Sequence, residues 1–282
     1  LPPLVLDAFL RSDASRLSSW AKDLEFPSEE TTYLNFLASH DGIGVRPAEG
    51  ILPESSIENM VKKTRVHGGE VSYKSDKDGG KSPYELNITY FDALSDPNGD
   101  EPLDLQVRRF MSSQAIMLAF RGVPGIYFHS LVGSRNWNEG VKKTGRKRTI
   151  NRKKFSLEEL ESDFSKTGSR RQRVLGKFKK LLRVRRQHEA FHPSAEQEIM
   201  DLSGGTFSFL RKSDGAAKSV LCIHSVSPDE QKVKISEISR HLDINDGVAD
   251  LISGERFRKA NWEENGIRLA PYEVLWLVEE QS

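Results

Sequence analysis

The stretch TTYLNFLASHDGIG, residues 31–44, decides the fold class. Its first part, residues 31–38, is short, mostly apolar and rich in aromatic and β-branched side chains, which predicts a buried strand. The polar pair His40-Asp41 and a glycine-rich turn follow at once. Because α/β proteins present reactive side chains at the carboxyl ends of their strands, this order indicates a functional site at His40 and Asp41.

Helices and strands alternate around this stretch, as is typical of a parallel α/β fold. Apolar periodicity predicts three helices, at residues 4–10, 103–120 and 157–191. A second buried strand is predicted at residues 126–129. Residues 46–100 are too polar and irregular for regular core elements, apart from a short helix at residues 53–63, so they are predicted to form a long functional loop.

Beyond residue 191 the pattern changes to short alternating runs, which predict a small antiparallel β domain over residues 192–282. Its five predicted strands are residues 206–210, 219–224, 232–235, 267–269 and 274–278. Turns are expected at Asp214-Gly215, Asp246-Gly247 and Ser253-Gly254. The predicted division is therefore an α/β region over residues 1–191, followed by this β domain.

The composition bounds the class of protein. Of the 282 residues, 37% are hydrophobic and 29% are charged, which is typical of a globular protein. A single cysteine excludes a disulfide framework and a cysteine-based metal cluster. The sequence has no uncharged apolar run of about 18 residues and no signal peptide. We therefore expect a cytoplasmic protein that neither binds a metal nor enters a membrane.

The formal net charge of +1 conceals a basic block. Residues 141–186 hold 18 basic and 4 acidic side chains, so the rest of the chain is acidic. Such a block is compatible with a nucleic-acid partner, an anionic substrate or a solvated helix face. Its aromatic residues are only Phe155, Phe164 and Phe178, which is poor for stacking on bases. Nucleic-acid binding stays an alternative that the composition disfavours.

Three groups of side chains could carry chemistry. A carboxylate beside an imidazole, as in His40-Asp41, can bind sugar hydroxyls and stabilise positive charge on a ring, although a turn-capping aspartate has the same signature. Residues 144–152, TGRKRTINR, offer arginine forks for carboxylate, phosphate or vicinal hydroxyls, or else form a solvated basic loop. Tyr84 and Glu85 could line a pocket. Dinucleotide, P-loop, nucleophile-elbow and zinc-protease motifs are absent from the sequence.

Four motifs occur together in one order: FLASHDGIGV at 36–45, YELNITYFDAL at 84–94, GVPGIYF at 122–128 and RTINR at 148–152. This combination resembles glycoside hydrolase family 13, in its sucrose phosphorylase-like branch. The resemblance is dense over residues 1–155 and becomes a match of element order over the β domain. It implies the C-terminal part of a (β/α)8 TIM barrel, with residues 31–38 and 126–129 as its seventh and eighth strands, followed by a small antiparallel β domain.

The resemblance also implies roles for individual side chains. Asp41 is similar to the family's transition-state-stabilising aspartate, and His40 to the histidine that contacts the glucosyl unit. Arg148 resembles the arginine that helps to hold the sugar in the donor subsite. Tyr84 and Glu85 fall on the active-site loop, residues 46–100, that shapes the acceptor and phosphate site.

Two departures from the usual sucrose-active pattern concern the acceptor. Glu85 stands where sucrose phosphorylases usually have Gln, and Arg46-Pro47 also differs. Both features are similar to those of relatives that act on glucosylglycerate, and the cation of Arg46 could meet a carboxylate-bearing acceptor. The implied reaction transfers a glucosyl group from an α-glucoside, glucosylglycerate or sucrose, to the co-substrate phosphate, without a cofactor. Hydrolysis or transglucosylation by the same family is the alternative.

The family's nucleophilic aspartate and general-acid glutamate lie at the ends of the fourth and fifth strands, whereas the motifs found here begin after the sixth. A retaining mechanism needs both carboxylates, about 5 Å apart. We therefore expect the chain to be the C-terminal portion of a larger enzyme and to be inactive alone. Its expected partners are the N-terminal part of the barrel and, if it forms a homodimer, a second copy.

Overall fold

The fold is built from short elements. The structure is a computed structural model. It describes residues 1–26, 28, 30–75, 79–213, 219–242, 244, 247–258 and 266–280. Its helices are α1 (Pro2–Arg11), α2 (Ser15–Lys22), α3 (Glu54–Val66), α4 (Tyr90–Leu94), α5 (Leu103–Ala119), α6 (Phe128–Leu131), α7 (Asn138–Thr144), α8 (Leu157–Ser165), α9 (Arg170–Gln187) and α10 (Ile235–Ile238). None of the helices in these residues combines the length and apolarity needed to cross a bilayer.

The strands are mostly short as well. They are β1 (Leu34–Asn35), β2 (Ile43–Gly44), β3 (Glu70–Ser75), β4 (Lys81–Asn87), β5 (Val123–Pro124), β6 (Gln197–Met200), β7 (Thr206–Arg211), β8 (Val220–Ser225), β9 (Gln231–Val233), β10 (Gly247–Asp250), β11 (Arg256–Arg258), β12 (Ile267–Leu269) and β13 (Val274–Glu279). Single turns of 3₁₀ helix occur at Arg46–Ala48, Lys147–Asn151 and Glu189–Phe191.

The chain divides into two units that interleave in sequence. The first unit contains Leu1–Leu10, Phe36–Phe110 and Gly125–Phe178. The second contains Arg11–Asn35, Met111–Pro124 and Lys179–Ser282. This division follows spatial contacts rather than chain order, and the boundary predicted after residue 191 stays a prediction.

A three-stranded antiparallel sheet, in the order β2-β4-β3, lies in the first unit. Because β3, β4, α3 and α4 all fall within residues 46–100, the prediction of an irregular loop there is wrong, although the short predicted helix is confirmed as α3. The hairpin of β3 and β4 contains few apolar residues because few of its side chains are buried. These are Val71 in β3 and the last three residues of β4. A strand with so few inward positions gives no clear alternation in sequence.

Aromatic rings fill the core of the first unit. The ring centroid of Phe91 lies 5.1 Å from that of Phe110, which lies 6.5 Å from that of Phe178. These rings place α4 against the parts of α5 and α9 that belong to this unit. The helix predicted at residues 103–120 is confirmed as α5.

The single helix predicted over residues 157–191 is wrong, because the chain breaks between α8 and α9. Gly168 adopts a left-handed conformation there, with φ of +77°. Ser169 then donates its hydroxyl to the carbonyl oxygen of Asp163 at 2.6 Å. A left-handed glycine commonly ends a helix. The prediction missed this break because the apolar stripe in the sequence continues past Gly168.

Strands β1 and β5 form a parallel pair in the second unit, with Leu34 opposite Val123. The strand predicted at residues 31–38 is confirmed in position, but it is only two residues long, and it is not buried as predicted because Leu34 is exposed. The strand predicted at 126–129 is wrong, since pairing occurs at β5 and Phe128 already begins α6. A Cβ at Gly122 would lie 2.5 Å from the carbonyl oxygen of Tyr33, so the two backbones are already in close contact there. The pairing of β1 with β5 therefore begins at the next residues, Leu34 and Val123.

The second unit also holds a six-stranded antiparallel sheet, in the order β11-β10-β13-β8-β7-β6, and the antiparallel pair β12-β9. The five strands predicted beyond residue 191 are confirmed within two residues as β7, β8, β9, β12 and β13, whereas β6, β10 and β11 were not predicted. The turn at Ser253-Gly254 is confirmed, with Gly254 at φ of +83°. The turn predicted at Asp214-Gly215, and Asp246 of the other, lie outside the described residues.

Candidate active site

Asp41 lies on a bend immediately before β2, in the first unit. Its N–H donates to Ser39 Oγ at 3.1 Å, and its carbonyl oxygen accepts from Asn151 Nδ2 at 2.8 Å. The next residue, Gly42, packs so closely on β4 that an added Cβ would lie 2.3 Å from the carbonyl oxygen of Leu86. The backbone of Asp41 is therefore held from two sides, and the chain beyond it cannot carry a side chain at Gly42 without moving β2 from β4.

The carboxylate of Asp41 faces two guanidinium groups. Its Oδ1 lies 2.8 Å from Arg148 Nη1 and accepts a hydrogen bond from Arg152 Nη2 at 3.0 Å. His40 Nε2 lies 3.7 Å from the same oxygen, with its side chain largely exposed. Because the Asp41 side chain is 36% exposed, its carboxylate is open to a ligand while two cations balance its charge.

Arg148 uses all three of its nitrogens in contacts within the first unit. Nε donates to Glu85 Oε1 at 2.9 Å, and Nη2 donates to Glu85 Oε2 at 2.5 Å and to the Tyr84 hydroxyl at 3.2 Å. The remaining nitrogen faces Asp41. The hydrogen bonds to Glu85 raise the pKa of Arg148 above its ordinary value, and the charge of Asp41 adds to the effect. Arg148 therefore bridges the two carboxylates.

The sheet brings Tyr84 and Glu85 to this position. Strands β2 and β4 pair with Gly44 opposite Glu85, and the N–H of Val45 donates to the Tyr84 carbonyl oxygen at 3.0 Å. The Glu85 side chain is only 4% exposed, whereas that of Arg148 is 40% exposed. The pairing of β2 with β4 thus fixes the loop motif beside Asp41, although the two are far apart in sequence.

Arg46 lies apart from this cluster. It begins the 3₁₀ turn directly after β2, with its side chain 46% exposed and its Nε 3.7 Å from Glu49 Oε1. The structure therefore brings together five of the six predicted site residues, namely His40, Asp41, Tyr84, Glu85 and Arg148. Arg46 neighbours them only through the strand pairing, since Val45 binds the backbone of Tyr84.

Three further residues belong to the cluster. Arg152 contacts Asp41 and also donates through Nε to the His40 carbonyl oxygen at 2.6 Å. Asn151 holds the Asp41 backbone, and its own carbonyl oxygen accepts from the Tyr127 hydroxyl at 2.9 Å. Arg152 and Asn151 belong to the RTINR motif, so the sequence pointed to this segment, but it does not tell that both arginines of the motif reach Asp41.

Tyr127, Asn151 and Asp41 also line a small pocket in the first unit. Burial raises the pKa of Tyr127, with Arg152 opposing and Asp41 adding to the rise. His129 lines the same pocket, and its Nδ1 lies 2.8 Å from Ser134 Oγ. Burial lowers the pKa of His129 to about 4, and the charge of Arg171 lowers it further, so this imidazole is neutral at pH 7.

The cluster has the chemistry of a sugar site. A carboxylate that faces a ligand can stabilise positive charge developing on a sugar ring, and guanidinium forks bind hydroxyl or phosphate oxygens. Glu85 is nearly enclosed and has both oxygens on Arg148, so Asp41 is the carboxylate of this cluster that can face a ligand. In the described part of the chain, no group of three or more His, Cys, Asp or Glu side chains could hold a metal ion. That a cofactor is not needed stays a prediction.

Comparison with known proteins defines the class. No family model matches the sequence. Relatives and a solved structure nevertheless match it, and over nearly its whole length the chain is homologous to phosphorylases of the sucrose phosphorylase-like branch of glycoside hydrolase family 13. It covers the C-terminal half of the TIM-barrel fold of that family, with the antiparallel sheet in its C-terminal region. The predicted fold class is thereby confirmed.

Phosphorylases are among the proteins similar to this chain. Glucosylglycerate phosphorylase from Spirochaeta thermophila is 45% identical over 280 residues, and that from Escherichia coli is 37% identical over 277 residues. Each alignment covers 98% of this chain and 47% of the relative, so the chain spans about half the length of the curated relatives it matches. The crystal structure of sucrose 6F-phosphate phosphorylase from Thermoanaerobacter thermosaccharolyticum superposes with a TM-score of 0.65 at 26% identity, over 80% of this chain and 42% of that one.

Proposed function

We propose that this chain supplies the transition-state-stabilising aspartate and the acceptor loop of a retaining phosphorylase. The enzyme transfers a glucosyl group from glucosylglycerate, or a related α-glucoside such as sucrose, to inorganic phosphate. The observation that carries the proposal is the 37–45% identity, over nearly the whole chain, to proteins named glucosylglycerate phosphorylase. The cluster around Asp41 supports it, because it offers the charge that such a reaction needs.

The proposed reaction is a double displacement. In the first step a carboxylate outside this chain attacks the anomeric carbon, the bond from that carbon to the glycerate oxygen breaks, and a carboxylic acid outside this chain protonates the leaving oxygen. In the second step a phosphate oxygen attacks the anomeric carbon, the bond from that carbon to the first carboxylate breaks, and the phosphate returns a proton to the second carboxylate, which gives α-glucose 1-phosphate. Positive charge builds on the sugar ring in both steps, and Asp41 stabilises it.

The side chains around Asp41 have distinct proposed parts. Arg148 and Arg152 fix the Asp41 carboxylate, and the exposed ring of His40 contacts the glucosyl hydroxyls. Tyr84 presents its phenol beside the same guanidinium at the acceptor and phosphate side. Glu85 was predicted to bind substrate, but its enclosed carboxylate supports a part in positioning Arg148 instead.

The glycerate carboxylate is assigned to Arg46. A guanidinium binds a carboxylate through two parallel hydrogen bonds, and the present contact of Arg46 with Glu49, at 3.7 Å, is too long for such a pair. Arg46 follows Val45, whose N–H donates to the Tyr84 carbonyl oxygen, and this link supports placing Arg46 on the acceptor side of the cluster. This location supports an acceptor that carries negative charge over neutral fructose.

The proposed partner is a segment that completes the barrel. In the described residues, β1 and β5 pair only with one another, so each has a free edge. Leu34 and Val123, which face each other in this pair, are 64% and 43% exposed. Open parallel edges with apolar side chains are normally covered by further strands. A homodimer and a cytoplasmic location remain predictions.

A joined protein tests the proposal. This chain is fused to the part of the Spirochaeta thermophila relative that it does not match, and phosphate-dependent release of glycerate from glucosylglycerate is measured, with sucrose as a second substrate. We expect glucose 1-phosphate from the joined protein and none from the chain alone. Release of free glucose without phosphate would assign hydrolysis instead, and a folded joined protein that turns over neither substrate would overturn the proposal.

A further inference from the structure

We propose that a basic groove beside the Asp41 cluster is a second binding site, for a small oxyanion such as inorganic phosphate. The groove is open, has a volume of about 630 Å³, and lies within the first unit. Four cations line it, Arg146, Lys147, Arg148 and Arg152, together with the hydroxyls of Ser72, Thr144 and Thr149. The groove contains residues of the basic block, Arg146 and Lys147, to which the proposed sugar site assigns no role.

The charges of the groove are only partly balanced. Arg148 and Arg152 face Asp41, and Arg148 also binds Glu85. Lys147 Nζ donates to the Val71 carbonyl oxygen at 2.5 Å and lies 3.9 Å from its acidic neighbour, Glu70. Arg146 forms no ion pair in the part of the chain that the structure describes. The groove therefore carries unbalanced positive charge, and Arg146 is its most available cation.

Neutral donors complete an oxyanion site. The hydroxyls of Thr144 and Thr149 lie 2.8 Å apart at the groove wall. Because Thr144 Oγ1 donates to the Gly140 carbonyl oxygen at 2.9 Å, Thr149 is the hydroxyl of this pair that can turn its hydrogen toward an anion. Phosphate and carboxylate oxygens accept bonds from hydroxyls and guanidinium groups alike. The lining residues include no aromatic ring in the described part of the chain, and single-stranded nucleic acid relies on such rings. The lining therefore favours a small oxyanion over nucleic acid.

The groove is continuous with the sugar site because Arg148 and Arg152 belong to both. An anion held by Arg146 and Lys147 therefore lies in the same groove as the two arginines that face Asp41. Grooves lined by one sign of charge raise the local concentration of oppositely charged ligands. Resting on the proposed phosphorolytic function, we infer that the groove collects phosphate, or the carboxylate of glucosylglycerate, before it enters the site, and glycerate serves as the simplest probe of that carboxylate.

Anion binding to the 282-residue chain tests this inference directly. Inorganic phosphate and glycerate are titrated separately at constant, low ionic strength, with glycerol as a neutral control, and binding is followed by backbone amide shifts. The test variant is R146Q/K147Q, with R146Q alone as a milder form in case the pair perturbs the Val71 contact. The matched control is K142Q/K143Q, which removes the same charge from exposed positions on α7 just before the groove.

We expect R146Q/K147Q to weaken phosphate binding at least fivefold and K142Q/K143Q to weaken it less than twofold. The anion whose dissociation constant depends more strongly on Arg146 is the one that the groove collects. Equal weakening by both pairs, or none by either, would overturn the site. Tight binding of a single-stranded oligonucleotide that both pairs weaken would also overturn it, and would assign the basic block to nucleic acid. Because the readout is binding, the outcome is independent of whether the joined protein proves to be a phosphorylase.

Discussion

Both oxygens of the Glu85 carboxylate receive hydrogen bonds from one guanidinium, that of Arg148, at 2.9 and 2.5 Å. Glu85 is nearly enclosed, and the opposite side of the guanidinium faces Asp41 at 2.8 Å. Two carboxylates thus share one arginine, and the enclosed one fixes its orientation for the exposed one. Planar, two-point pairing of this kind holds geometry better than a single contact does.

Replacing Glu85 with Gln is expected to loosen this arrangement. The amide keeps the volume but loses the charge and one acceptor, so we expect unfolding to become easier by about 1–2 kcal/mol, a figure reduced because Arg148 is partly exposed. Urea denaturation measures it. The control is Glu230→Gln, which breaks the surface pair of Glu230 with Arg268 at 3.1 Å and should cost about 0.5 kcal/mol or less. Equal costs for the two variants would show that Glu85 is not a buried anchor.

Asp41→Asn in the joined protein is expected to lower kcat by orders of magnitude while the fold stays intact. In the proposed mechanism, the amide cannot supply the negative charge that stabilises the ring in the transition state. Phosphorolysis rates and the urea midpoint are measured together, with the exposed Asp100→Asn as the control. A loss of less than about tenfold, or 1.4 kcal/mol, would remove Asp41 from the catalytic residues.

Adjacent residues made part of this site predictable from sequence. His40 and Asp41 stand next to each other, and Arg148 and Arg152 share one motif, so both groups could be chosen as candidates. The bond from Arg148 to Glu85 joins positions 63 residues apart, and it forms because the fold places the 3₁₀ turn Lys147–Asn151 beside β4, which pairs with β2. Sequence periodicity could not reveal that pairing, because β4 buries only its last three residues.

The same limit explains the errors in the fold. The run at residues 126–129 is apolar and aromatic, and such a short run is equally compatible with a strand and with the start of a helix. The structure decides by the close approach at Gly122, which puts the strand at Val123–Pro124. Contacts of this kind depend on a distant segment, here Tyr33, so the residues around Gly122 alone do not predict where the strand begins.

Gly42 and Gly176 give a prediction of opposite sign. A Cβ at Gly42 would meet the Leu86 carbonyl oxygen at 2.3 Å, whereas one at Gly176 in α9 would have no neighbour within 4 Å. We expect Gly42→Ala to destabilise the fold by about 2 kcal/mol or more, because backbone must move. Gly176→Ala should stabilise it by about 0.5–1 kcal/mol, since alanine favours helix. Urea midpoints of the two variants test both, and a neutral Gly42→Ala would contradict the close pairing of β2 with β4.

His224 should make the stability of the chain depend on pH. Its ring is fully buried in the second unit, with Nδ1 3.1 Å from the Phe207 carbonyl oxygen and Nε2 accepting from Trp276 Nε1 at 3.3 Å. Burial lowers the pKa of His224 from 6.5 to about 4. The unfolded chain therefore takes up a proton at a higher pH than the folded chain does. The stabilisation is complete above pH 6.5 and is lost as the pH falls toward 4.

Between pH 7 and pH 5 this one group is expected to cost the folded state about 2 kcal/mol. His129, whose pKa is also lowered to about 4, adds a similar dependence, so the wild-type slope alone does not isolate His224. The comparison is with His224→Gln, which keeps an acceptor for Trp276 and removes the titration. Free energies of unfolding at the two pH values should differ by about 2 kcal/mol less in the variant than in the wild type. Identical differences would mean that His224 is protonated in the folded chain or already accessible to solvent.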